Sequence, residues 1–143
     1  EYINRYFESY PEVKRFLDRQ IKEAKEYGFT RTLFGRIRPV PELKSSNFMQ
    51  RAFGERVAMN APIQGTAADI MKIAMVKVRR ALESENLDAR IVLQIHDELL
   101  VEADKTVASR VLELLKETMR NAAELRVSLE VDAHIGNSWL EAH

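Results

Sequence analysis

Apolar side chains recur every three or four residues through much of the first half of the chain. That period is typical of α-helices that bury one face. A short helix is predicted around Tyr2 to Phe7, followed by a break near Pro11, which suits the first turn of a new helix. The second helix is predicted to end at Gly28, since glycine is the common residue just past a helix C-terminus.

A different pattern follows from Phe29 to Val40. Thr, Leu and Phe surround the sequence Phe34-Gly35-Arg36, which is typical of a short β-hairpin. Prolines at positions 39 and 41 end the predicted hairpin. Its arms carry three basic residues, Arg31, Arg36 and Arg38.

Helical periodicity then returns. The segment Ser45–Asn47 can cap a helix that begins at Phe48, and a further helical stretch is predicted from about Ile63 to Leu82. Pro62 lies between them, and we expect it to kink or restart the helix because proline lacks a backbone donor.

The second half of the chain contains period-two alternation, which predicts strands. Arg90–Ile95 places Ile91, Leu93 and Ile95 on one face, and Leu99–Ala103 forms a second apolar run, so a β-hairpin is predicted with His96 and Asp97 at its tip. After it we expect a helix capped by Asp104, with its core face formed by Val107, Val111, Leu114, Leu115 and Met119. A last strand, Val127–Ile135, is predicted to join the same sheet. The predicted fold class is α+β: helices packed on a small antiparallel sheet.

Composition narrows the function classes. The absence of cysteine excludes disulfides and thiolate zinc sites, and no apolar run approaches the length of a membrane helix. The chain starts without Met inside a predicted helix, so we expect it to be a fragment of a longer protein.

The charges are divided unevenly along the chain. From Lys14 to Arg56 there are eleven Lys or Arg against five Asp or Glu, whereas from Glu83 to His143 there are six against thirteen. A basic first half could follow a phosphate backbone and an acidic second half could hold a divalent metal, although unevenly charged, solvated helix faces would give the same counts.

The most informative chemistry lies at the tip of the second hairpin. His96, Asp97 and Glu98 form the turn between two apolar strands, where Asn-Gly or Asp-Gly would turn more easily. Adjacent carboxylates repel each other unless a cation lies beside them, and Mg²⁺ binds through a few carboxylates while keeping positions for water and substrate phosphates. The tip is therefore a candidate Mg²⁺ site; the alternative is a solvated turn that happens to carry charges.

Four segments resemble family A DNA polymerases, the bacterial DNA polymerase I group, and they occur in the family's order. They are Thr32–Arg36, the run from Arg56 to Asp69, the motif around His96-Asp97-Glu98, and the closing Gly136–Trp139. The three-residue acidic motif alone would be a weak signal. Its combination with the long upstream run, at the family's spacing, is specific, and the resemblance covers essentially the whole chain.

The resemblance implies roles for individual residues. Asp97 resembles a ligand of the catalytic metals, Glu98 its accessory carboxylate, and His96 a residue that approaches the primer end. Arg56, Asn60 and Gln64 resemble residues that contact duplex DNA. Their spacing of i, i+4, i+8 agrees with this, since it places them along one face of a continuous helix, although a polar stripe without function has the same spacing. Arg31 and Arg36 of the basic hairpin complete the DNA-binding candidates.

The resemblance also implies an architecture and a reaction. Residues 1–45 would form the end of the fingers subdomain and residues 46–143 the C-terminal part of the palm. The intact enzyme would be a DNA-directed DNA polymerase of replication and repair in the bacterial cytoplasm, associated with the nucleoid. It would transfer deoxynucleotides from triphosphates to a primer 3′-hydroxyl on primer–template DNA by two-metal Mg²⁺ catalysis. The family's first metal-binding Asp and its nucleotide-handling fingers helix have no counterpart here, so we expect the isolated chain to be inactive.

Two alternatives remain open at this point. The chain could be a non-catalytic DNA-binding module or one that self-associates through apolar surface, without any membrane role. It could also be a metal-dependent nuclease, which would require a further acidic cluster near Asp97; Asp69, Asp88 and Asp132 are the only loose candidates.

Overall fold

A computed structural model describes residues 2–142. The chain divides into two compact units, Glu1–Thr66 and Ala67–His143. Long helix α3, Phe48–Ser84, contributes residues to both.

The first unit begins with two helices and a hairpin. Its elements before α3 are α1 (Tyr2–Ser9), α2 (Pro11–Tyr27), β1 (Phe29–Arg31), β2 (Ile37–Pro39) and a 3₁₀ turn (Pro41–Lys44). Gly28 has φ of 79° and donates its N–H to the Ala24 carbonyl, which confirms the predicted end of α2. The strands pair antiparallel, with Thr30 opposite Arg38, so the predicted basic hairpin is also confirmed.

A small apolar core holds this unit together. Ala24 of α2, Val40 after β2, Leu43 of the 3₁₀ turn and Ala58 of α3 are buried, and Ile21 and Val57 pack against them. The hairpin is thereby fixed between two helices, and this positions its arginines.

Helix α3 is continuous over 37 residues and contains Pro62, so the predicted restart does not occur. Its start is as predicted: the Asn47 side-chain oxygen accepts a hydrogen bond of 2.8 Å from the Met49 N–H. Proline removes one backbone hydrogen bond, but the helix continues through it to Ser84. The continuity matters because it preserves the register of the polar stripe across Pro62.

The second unit contains β3 (Ala89–Ile95), β4 (Glu98–Ala103), α4 (Ala108–Arg120) and α5 (Trp139–Ala142). Its core consists of Val78 and Leu82 from α3 with Val111 and Leu114 from α4. One face of the β3–β4 hairpin packs against this core.

A β-bulge changes the predicted faces of β3. Ile91 pairs with Val101, but Leu93 pairs with Leu100, so Val92 is an extra residue in the ladder. Ile91 packs against the core, whereas Leu93 is 39% exposed. The prediction that Ile91, Leu93 and Ile95 share a face is therefore wrong, because one inserted residue moves the following side chains to the other face.

The predicted last strand is also wrong. Residues 127–135 form no strand in the described part of the chain. Burial nevertheless alternates, since Leu129, Val131 and Ala133 are partly buried between exposed neighbours. The alternation covers only residues 129–133, since Val127 and Ile135 at the two ends are exposed, and no strand in the described part of the chain pairs with this segment.

Asp104 does not cap α4 as predicted. Its carboxylate accepts hydrogen bonds from the Thr106 N–H and hydroxyl, and the helix begins at Ala108 after Val107. Asp competes for nearby backbone donors in this way, and it forms a local turn instead of a cap. These hydrogen bonds from Thr106 lower the pKa of the Asp104 carboxyl.

The predicted class is nevertheless confirmed: the architecture is α+β, and residues 2–142 form helices and two small antiparallel hairpins, β1–β2 and β3–β4. Across residues 2–142, every helix is too short or too polar to traverse a lipid bilayer.

Candidate active site and nucleic-acid interface

The β3–β4 hairpin presents the acidic motif at its tip, as predicted. Ile95 pairs with Glu98, so His96 and Asp97 form a two-residue loop, and Glu98 is the first residue of β4. The Asp97 side chain is exposed and Glu98 is partly buried. The motif therefore joins an accessible carboxylate to one anchored in the sheet.

The loop backbone is held in an uncommon conformation. His96 has φ of 49°, a left-handed value that few non-glycine residues adopt. The Gln94 side-chain amide donates a 2.8 Å hydrogen bond to the His96 carbonyl and closes the turn. A left-handed backbone at a non-glycine residue persists only where the surrounding contacts hold it. The conformation of His96 therefore restricts the position of Asp97, the next residue of the loop.

The side chains at this tip determine which metal ion it could bind. Among residues 2–142, no group of three or more His, Cys, Asp or Glu side chains comes together where an ion could bind. Asp97 and Glu98 alone would not enclose Zn²⁺, which prefers nitrogen and sulfur ligands in a closed site. They fit Mg²⁺, which commonly takes one or two carboxylates and fills its other positions with water and substrate phosphates.

A basic groove of about 410 Å³ lies in the first unit, between the β1–β2 hairpin and α3. Four arginines line it: Arg31, Arg36, Arg38 and Arg56. None of the residues that line it, all within the described part of the chain, is acidic. Four positive charges converging on one concave surface attract a polyanion.

The polar stripe of α3 forms one side of this groove. Arg56, Asn60 and Gln64 all line it, and all three side chains are exposed. The structure therefore brings together five of the predicted DNA-binding residues, these three with Arg31 and Arg36, whereas His96 lies on the hairpin tip of the second unit.

Aromatic rings and backbone groups orient the arginines. The Arg31 guanidinium lies 4.9 Å from the centre of the Phe29 ring, and that of Arg56 lies 5.8 Å from the Phe53 ring. Arg36 donates a 3.0 Å hydrogen bond to the Gly65 carbonyl. These contacts restrict the side chains before any ligand binds.

Arg38 is not among the site residues predicted from the sequence, yet it lines the groove. It follows Arg36 by two positions at β2, and residues two apart in an extended chain share a face. The spacing of Arg36 and Arg38 is therefore the feature of the sequence that indicates a role for Arg38 in the groove.

Comparison with known proteins identifies the family. The sequence profile described as DNA polymerase family A matches residues 1–141. The chain belongs to DNA polymerase family A. The family A resemblance seen in the sequence motifs is therefore confirmed over nearly the whole chain.

Individual family A relatives agree. The chain is 49% identical to DNA polymerase I of Bacillus caldotenax over 142 residues, which cover 99% of this chain and 16% of that protein. It is 50% identical to DNA polymerase I of Caldicellulosiruptor bescii over 141 residues, covering 99% and 17% respectively. The chain thus spans about a sixth of the length of the curated relatives it matches.

A solved family A structure has the same fold. It is the POL domain of Pol1 from M. smegmatis in complex with DNA primer-template and dNTP, with a TM-score of 0.95 and 44% identity. The match covers 98% of this chain and 25% of that one. The individual roles of the groove and hairpin residues remain predictions.

Proposed function

We propose that this chain is the part of a bacterial template-directed DNA polymerase that holds primer–template DNA and supplies one pair of metal-binding carboxylates. The observation that carries the proposal is the groove. Four arginines, Asn60 and Gln64 converge there without an acidic residue, in a chain of DNA polymerase family A. The intact enzyme adds deoxynucleotides from triphosphates to a primer 3′-hydroxyl. The M. smegmatis relative, solved with DNA primer-template and dNTP, supports these substrates.

The groove chemistry suits DNA of any sequence. Arginine side chains bind backbone phosphates through charge, which is independent of base identity. Asn60 and Gln64 can donate hydrogen bonds to minor-groove acceptors that all base pairs share. The groove therefore holds the duplex without selecting its sequence, as a replication and repair enzyme requires.

The hairpin tip supplies the chemistry of the reaction centre. Asp97 and Glu98 would hold Mg²⁺, with Asp97 as the principal ligand and Glu98 as the accessory one, and His96 would approach the primer end. Bound Mg²⁺ would neutralise negative charge on phosphate oxygens during transfer. We assign residues 1–45 to the end of the fingers and residues 46–143 to the palm. Because the named relatives are bacterial, we place the enzyme in the bacterial cytoplasm with the nucleoid.

Asp97→Ala in the intact polymerase tests the catalytic assignment. We expect primer extension at saturating DNA to fall about a hundredfold or more, because a metal ligand acts mainly on charge that develops in the transition state. The affinity for primer–template should change little. Glu98→Ala should be milder, and Glu130→Ala, an exposed carboxylate outside the motif, is the matched control. Near-normal turnover of the Asp97 variant would refute the assignment.

The isolated 143-residue chain separates the polymerase from the alternatives. We expect no template-dependent extension, because Asp97 and Glu98 are half of a two-metal site. Extension that Asp97→Ala abolishes would show that half a site is enough. Metal-dependent DNA cleavage by the chain would instead favour a nuclease. A pure binding module predicts that Asp97→Ala leaves every activity of the intact protein unchanged, whereas the polymerase predicts a loss of primer extension.

A further inference from the structure

A hydroxyl group of α3 contacts the backbone of the basic hairpin's loop. The Thr66 side-chain oxygen accepts a 2.9 Å hydrogen bond from the Leu33 backbone N–H. The same hydroxyl lies 2.5 Å from the Pro62 carbonyl, to which it donates its proton. A hydroxyl has one donor and two acceptor sites, so its proton faces the helix and a lone pair faces the loop.

The neighbouring residue allows this close approach. A Cβ atom added at Gly65 would lie 2.7 Å from the Thr32 methyl carbon, closer than real Cβ contacts. Arg36 crosses from the loop to the helix at the same point, where it bonds the Gly65 carbonyl. The loop is also closed on itself, because the Thr32 hydroxyl accepts a 3.1 Å hydrogen bond from the Arg36 N–H. The loop therefore contacts α3 at two consecutive residues, Gly65 and Thr66.

These contacts determine the geometry of the groove. The hairpin carries Arg31, Arg36 and Arg38 on one side, and α3 carries Arg56, Asn60 and Gln64 on the other. Thr66 itself is not among the residues that line the groove. A change in how the 32–36 loop lies on α3 would move Arg36 relative to the stripe, whereas Arg31 and Arg38 lie on the strands β1 and β2.

We infer that Thr66 is a positioning residue for DNA binding: its hydroxyl holds the 32–36 loop on α3 and so sets the placement of Arg36 over the polar stripe. The inference rests on the proposed function, since it assumes that the groove binds primer–template DNA. Without the hydroxyl, the loop would be docked in a smaller fraction of molecules, and the apparent affinity would fall by that fraction.

Thr66→Val in the intact polymerase tests this, because valine keeps the shape and removes the hydroxyl. The Kd for primer–template DNA should rise about three- to tenfold, the range expected from the loss of one hydrogen bond. Turnover at saturating DNA should stay near wild type. Thr66→Ser keeps the hydroxyl and should restore tight binding. Thr106→Val, which removes a hydroxyl bonded to Asp104 in the second unit, is the matched control and should leave the Kd unchanged.

A double-mutant cycle separates positioning from general stability. If Thr66 acts through Arg36, then Thr66→Val should add little to the effect of Arg36→Gln, whereas independent effects would add. Hydrogen exchange in the wild-type enzyme is a second readout that needs no variant: the Leu33 amide should be protected.

Three results would overturn the inference: wild-type affinity in Thr66→Val, additive effects in the cycle, or a Leu33 amide that exchanges like an open loop. The last still decides the matter if Thr66→Val fails to fold. Failure of the proposed function looks different, because the wild-type enzyme itself would then neither bind primer–template DNA nor extend it.

Discussion

The arginines of the basic groove make a quantitative prediction about salt. Arg56→Gln removes one of the four groove charges while keeping much of the side-chain stem. Arg56 lies on α3, and its side chain is exposed, so the substitution should not disturb the core. The 143-residue chain and a labelled DNA duplex are sufficient for the measurement.

The magnitude follows from counterion release. If each of the four arginines neutralises one phosphate, log Kd should change with log salt with a slope of about 3.6. Binding would then weaken about 150-fold between 50 and 200 mM salt. Removal of one contact lowers the slope to about 2.7, so that the same change in salt costs about 40-fold. The slope difference of about 0.9 per arginine holds even if other cations of the chain contribute.

Fluorescence anisotropy across a salt series would give these slopes. Arg56→Lys keeps the charge and should keep the wild-type slope, although it loses the planar group near Phe53. Gln64→Ala should weaken binding equally at all salt concentrations, because it removes no charge. Arg79→Gln, on an exposed residue paired with Glu83 outside the groove, is the matched control.

An Arg56→Gln variant with the wild-type slope would refute the assignment of Arg56 to a phosphate contact. Equal slope losses in Arg79→Gln would show that overall charge, and not the groove, determines binding. No binding at low salt would refute the groove as an interface in the isolated chain.

Two further predictions concern stability in the second unit. The Arg110 guanidinium donates two hydrogen bonds to Glu85 and lowers the pKa of that carboxyl from its ordinary 4.5. A lowered pKa stabilises the fold above pH 4.5, and this stabilisation is lost as the pH falls through the folded pKa. The Tm of wild type should therefore exceed that of Glu85→Gln at pH 7, and the difference should disappear in acid. A Tm difference that is constant with pH would contradict this. Val78 is fully buried, so Val78→Ala should lower the free energy of unfolding in urea by about 2 kcal/mol. Val127→Ala, at a side chain 73% exposed, should change it by less than about 0.5 kcal/mol, and equal effects would contradict the assigned core.

The errors of the sequence predictions share a physical origin. The extra residue at Val92 is visible only in the pairing of β3 with β4, since a bulge depends on the partner strand. Apolar and polar residues alternate along the predicted strand 127–135, and burial follows them only from 129 to 133, because alternation does not supply a hydrogen-bonding neighbour. An Asp side chain can cap a helix or accept hydrogen bonds in a local turn, and the Asp104 carboxylate accepts them from Thr106 instead of capping α4.

The sequence by itself determined whatever depends on neighbours a few residues apart. It placed the end of α2 at Gly28, the two hairpins, the register of Arg56, Asn60 and Gln64, and the carboxylates at the tip, and its motifs identified the family. These features follow from local periodicity and turn chemistry, which act over one or two turns of chain.

Only the tertiary structure decided the groove. Leu33 and Thr66 are 33 residues apart, and Arg36 and Gly65 are 29 apart, yet their hydrogen bonds bring the basic hairpin onto α3. Arg38 joins the site for the same reason. No local pattern encodes such contacts, because they arise when a small buried core of α2, the segment after β2 and α3 closes and carries the polar residues with it.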